Sequence, residues 1–86
     1  MQIADVDIGM QNAGDIAAAG IDAIRGGDLH FDLSAVRSCD SSAVAVLLAW
    51  QREAQAAGKQ LHLTGVPDCM LSLAKVYGVE PLLARE

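Results

Sequence analysis

Polar and apolar residues alternate along three short stretches of the chain and recur at helical spacing along three longer ones. Residues 3–8 place Ala4, Val6 and Ile8 on one side and Asp5 and Asp7 on the other, the period-two signature of a half-buried strand that Gly9 ends. Asn12, with Asp15 three places on, predicts a helix cap followed by an acid in the first turn. Ile16, Ala17, Gly20, Ile21 and Ile24 then form one helical face, and Gly26-Gly27 stop it. Leu29, Phe31 and Leu33 alternate with His30 and Asp32 as a second strand. Residues 34–39 form a connection anchored by Val36 and Cys39. Asp40-Ser41-Ser42-Ala43 opens the longest helix, whose buried face is expected to carry Val44, Leu47, Leu48 and Ala54, and Gly58 closes it. Leu61 and Leu63 against His62 and Thr64 make a third strand. Pro67 suits the start of a last helix that runs to Tyr77 and Gly78. Val79, Leu82 and Leu83 are expected to tuck against the sheet.

The order is β-α-β-α-β-α. Strands joined by crossover helices lie parallel, with right-handed connections. Because every strand alternates, one sheet face stays wet and the helices gather on the other, unlike a doubly wound sheet buried on both sides. The expected fold class is therefore α/β: a single small domain over residues 1–86, with a mostly parallel sheet of three to four strands and helices on one face.

Size narrows the chemistry. The chain has 86 residues, 52% of them hydrophobic, but 15 of those are alanine, so large apolar side chains are few. A deep catalytic pocket beside a separate core does not fit such a length. The net charge of −5 falls wholly on residues 1–40, which hold seven acids and two bases. An acidic surface of this kind does not match the phosphate backbone of nucleic acid. No stretch reads as a membrane span or a secretory signal, and the expected location is the cytoplasm.

Candidate chemistry is sparse. No P-loop, catalytic triad or metal-ligand spacing is present, and no catalytic residue, cofactor or metal is expected. His30 and His62 are expected to be neighbours on the wet face. Cys39 and Cys69 form no CxxC motif and read as free thiols, Cys39 packed inside and Cys69 nearer the surface. The strongest local feature is Asp40-Ser41-Ser42. One helix cap needs one side-chain oxygen, and here three oxygen-bearing side chains stand in a row, which leaves a surplus hydroxyl for a partner or a phosphate. Trp50 falls at the edge of the long helix's expected face, and both it and Tyr77 are candidate interface anchors.

At these residues the chain resembles a known family. Asp32-Leu33-Ser34-Ala35-Val36, then Cys39-Asp40-Ser41-Ser42-Ala43-Val44-Ala45-Val46-Leu47-Leu48, is similar to the central signature of STAS domains: a strand ending in D-L-S-x-V, a loop, then D-[ST]-[ST]-G and an apolar helix. Thr64-Gly65-Val66-Pro67-Asp68 and Leu73-Ala74-Lys75-Val76-Tyr77-Gly78-Val79 look most like the MlaB-type branch. That resemblance implies a non-enzymatic cytoplasmic accessory subunit. It would bind the ATPase of the Mla phospholipid ABC transporter, which serves outer-membrane lipid asymmetry, and would meet the membrane only through that complex. It places the partner surface at the helix start Asp40, Ser41, Ser42 and Ala43, with Ser41 the key hydroxyl; the candidate anchors Trp50 and Tyr77 are expected to belong to the same partner-binding surface. The alternative branch is the anti-sigma-factor antagonists, in which the phosphorylated serine corresponds to Ser42. Two departures stand out. Ala43 replaces the usual glycine, and its methyl is expected to block the closest approach of a partner or kinase. A single N-terminal strand replaces the usual hairpin, which is expected to leave an open edge and to favour a homodimer through that strand.

Overall fold

A computed structural model describes residues 1–79. The elements run β1 (Asp7–Ile8), α1 (Ala13–Arg25), β2 (His30–Asp32), β3 (Ser38–Cys39), α2 (Ser42–Ala56), β4 (His62–Thr64) and α3 (Asp68–Val76). All pairings are parallel. β1 lies beside β3 with Asp7 opposite Ser38, and β2 lies beside β4 with Phe31 opposite Leu63. The expected α/β class holds, with one strand more than the alternating stretches indicated. β3 sits inside the expected connection and is too short for a period-two pattern to register.

The N-terminal segment joins the two pairs, and this corrects two expectations. Gln2 bridges Asp32, with the Ile3 N–H bonded to the Asp32 carbonyl and the Asp32 N–H to that of Met1. Further along, the Val6 carbonyl accepts from Arg37 and Ser38, and the Ile8 carbonyl from Asp40. One segment is thus bonded to β2 at its start and to β3 at its end. It is paired at both ends where an open edge was expected. The inward side chains are Ile3 and Ile8, while Ala4 and Val6 are exposed. A bend at Val6 breaks the alternation and resets which face points inward.

The core lies between the sheet and the helices. Phe31, Leu33, Leu61 and Leu63 are fully buried, whereas His30 and His62 stack on the opposite face with ring centroids 4.8 Å apart. The wet face and its histidine pair are as expected. Each helix ends as its glycine indicated. The residues after Gly27, Gly58 and Gly78 donate back to Ala23, Ala54 and Ala74, with each glycine at positive φ. Asn12 does not cap α1. Its side chain accepts from the Gly9 N–H and donates to the Asp7 carbonyl, which ties the β1–α1 loop instead.

The buried face of α2 is Ala43, Val46, Leu47, Trp50 and Ala54, with Val44 beside it and Leu48 only half-buried. Trp50 is fully buried, which corrects its assignment as a surface anchor. Its ring crosses Phe31 edge-on at 4.8 Å, and its indole N–H donates to the Ala17 carbonyl at 3.2 Å. The space for it is made by Gly20 on α1, where any side chain would overlap the indole. Val79 is half-buried against the core, as expected; Leu82 and Leu83 lie outside the described residues.

Candidate functional site: the start of the long helix

The α2 start is built on the loop that follows β3. Backbone bonds from Ala43 to the Asp40 carbonyl and from Val44 to the Ser41 carbonyl begin the helix. The Asp40 carboxylate accepts from the Ser42 N–H at 2.8 Å and from the Ser42 hydroxyl. These bonds hold the Asp40 carboxyl below its ordinary range, first through the Ser42 hydroxyl, then the Ser42 N–H, with the Met10 N–H adding to them. Asp40 therefore does the capping, and Ser42 spends its hydroxyl on Asp40. Ser41 is exposed, and its hydroxyl makes no hydrogen bond among the described residues. The surplus oxygen inferred from three in a row is that of Ser41.

Ala43 is fully buried. Its methyl points into the core, so it neither joins the exposed surface nor obstructs it. The expectation that it limits partner approach is corrected on that ground. With Trp50 also inside, the exposed part of the candidate surface reduces to Asp40, Ser41 and the half-buried Ser42. Tyr77 is 55% exposed beside Val76, at the end of α3 away from the one that meets β3.

Met10 is a surface residue that the pattern did not single out. It is 87% exposed, in the β1–α1 loop, with its N–H close enough to act on the Asp40 carboxylate. The sequence signal was weak: a lone methionine between Gly9 and Gln11. Its exposed side chain adds an apolar, adaptable group to the loop whose backbone meets Asp40. At the carboxyl ends of β1 and β3 is an open depression of about 400 Å³ lined by Asp7, Ile8, Gly9, Gln11, Ser38, Cys39 and Asp40. The Ser38 hydroxyl donates to Asp7 across it. Its two carboxylates make it acidic.

The loop before β3 is fixed by a second close approach. The Asp32 carboxylate accepts from the Ser34 N–H, which holds the turn after β2. Gly65, at φ +64°, lies against Ser34 so closely that a Cβ there would stand 2.7 Å from the Ser34 Cβ. The D-L-S turn and the Gly65-Val66-Pro67 turn thus pack directly on each other.

A family model described as "Mlab, STAS domain" matches residues 5–84. The chain belongs to the MlaB-type STAS domain family. None of the curated proteins compared with it matches. STAS domains are generally non-enzymatic. Among the described residues, no helix of this STAS domain is long and apolar enough to cross a membrane, and no three or more His, Cys, Asp or Glu side chains gather as metal ligands.

Proposed function

We propose that this STAS domain is a non-enzymatic accessory subunit. It binds the ATPase of a phospholipid (Mla-type) ABC transporter and supports its activity in outer-membrane lipid asymmetry. It acts in the cytoplasm and is peripheral to the inner membrane through that complex. The docking surface is the α2 start: Ser41 at its centre, Met10 on the loop that meets Asp40, Asp40 and Ser42 as its support, with Tyr77 on a separate exposed flank.

The observation that carries this reading is the division of labour between the two serines. Ser41 is exposed with its hydroxyl uncommitted, as a contact residue needs to be. Ser42 is half-buried and bound to the Asp40 carboxylate. A phosphate on Ser42 would remove that donor and set about −1.5 to −2 charges against Asp40. The geometry therefore supports docking through Ser41 over an anti-sigma-factor antagonist switched at Ser42.

The test is co-expression with the ATPase and permease of a phospholipid ABC transporter. A stable complex and raised ATP hydrolysis are the expected result. Absence of a complex, together with phosphate transfer to Ser42 by a serine kinase that partners a sigma factor, would replace this reading with the antagonist one.

A further inference from the structure

Cys39 and Cys69 are 30 residues apart in sequence, yet their sulfurs stand 2.7 Å from each other. Cys39 ends β3, and Cys69 lies in the first turn of α3. Both are half-buried and both are free thiols. The separation is inside that of two sulfurs that merely touch and not far beyond the ~2.05 Å of a covalent bond. The strand end and the helix start thus already hold the two sulfurs within bonding reach.

We propose that Cys39 and Cys69 form an oxidisable dithiol site that takes small-molecule disulfide oxidants such as oxidised glutathione and closes to an intramolecular disulfide. The Cys69 sulfur attacks one sulfur of the oxidant. The oxidant's S–S bond breaks, and one thiolate leaves and takes up a proton. The Cys39 sulfur then attacks the Cys69 sulfur, loses its proton to solvent, and expels the second thiol. Two protein thiols are oxidised by two electrons, and one oxidant disulfide is reduced to two thiols. The order of attack follows from the surroundings of Cys39. Burial pushes its thiol up to about 12, and the neighbouring Cys69 adds to this, so Cys39 gives up its proton second. The new bond would fasten α3 to the residue just before Asp40. The site stands whether or not the α2 start docks on an ATPase.

The experiment uses the whole chain, fully reduced, then incubated with oxidised glutathione, alkylated and weighed intact. The expected result is a monomer lighter by two hydrogens, with both alkylatable thiols lost and the tryptic segments 38–52 and 60–75 joined. Added dithiothreitol should restore both thiols. Cys39→Ser should stop at a mixed disulfide on Cys69, whereas Cys69→Ser should leave Cys39 much slower to react. Persistence of both thiols in the native chain, glutathione adducts without ring closure, or cross-linked dimers in place of the internal bond would each overturn the proposal.

Discussion

The α1–α2 seam and the start of α2 use the same kinds of contact to different effect. In the seam between α1 and α2, an indole fills the space left by Gly20, bonds to Ala17 and crosses Phe31, and nothing of it reaches solvent. At the start of α2, Asp40 and Ser42 satisfy each other at the surface, and Ser41 and Met10 are left facing outward. The seam is a place where every atom already has a neighbour. The helix start is a place where the backbone is satisfied with groups to spare. If the α2 start is the docking surface proposed above, stability and recognition are separable in this small domain, although both reside on one helix.

That separation can be broken by substitution, and the largest effects are expected in the seam. Trp50→Ala leaves a cavity where a fully buried indole stood and should cost about 3–5 kcal/mol. Gly20→Leu drives a side chain into the same indole and should leave little folded protein. Thermal denaturation followed by circular dichroism measures both. If either variant keeps the native midpoint, the seam is not the close-packed region described.

A smaller effect is expected at the cap. The Asp40 carboxyl is held low in the folded state by Ser42, so its stabilisation is full above the ordinary carboxylate value of about 3.9 and is lost as pH falls through the depressed folded value. Asp40→Asn should lower the midpoint by a few degrees at neutral pH and converge with the native chain at strongly acidic pH. Parallel melting curves across the acid range would contradict this. Asp28, held low chiefly by the terminal amine 2.6 Å away, titrates in the same direction and remains in both proteins as an internal reference.

The smallest effect belongs to the ion pair that ties the two helices at the surface. Arg25 Nε meets Glu53 Oε1 at 2.5 Å, but the arginine side chain is 67% exposed. Exposed pairs of this kind contribute little. Arg25→Ala should leave the midpoint within experimental error. A drop comparable with that of the cap variant would mean that the α1–α2 seam depends on charge as well as on packing.

Much of this fold was legible in the sequence because its signals are local. Glycines mark the three helix ends, alternation marks β2 and β4, and three oxygen-bearing side chains mark the α2 start. The parts that were not legible depend on partners distant in the chain. The two residues of β3 have no pattern of their own and become a strand only because Val6 and Ile8 lie alongside. Trp50 falls on the inner face in the series Ala43, Val46, Leu47, Trp50, Ala54. Reading Leu48 as core turned that face away from it, and the deciding fact, the gap at Gly20, belongs to another helix. Ala43 lies inside and Met10 outside for a related reason. Burial at a helix start is set by how the helix leans on the sheet, and the motif alone does not contain that angle. The meeting of Cys39 with Cys69 likewise arises only when α3 returns to the end of β3.

The central claim is that Ser41, at the α2 start, meets a partner without supporting the fold, and Ser41→Arg tests it most directly. The variant should be titrated against the purified ATPase beside the native chain, with the melting curve of each recorded. The account predicts an unchanged melting midpoint and an affinity weakened by at least about tenfold, equivalent to ~1.4 kcal/mol. Unchanged affinity with an unchanged midpoint would contradict it, because the only uncommitted hydroxyl of the helix start would then have no part in binding.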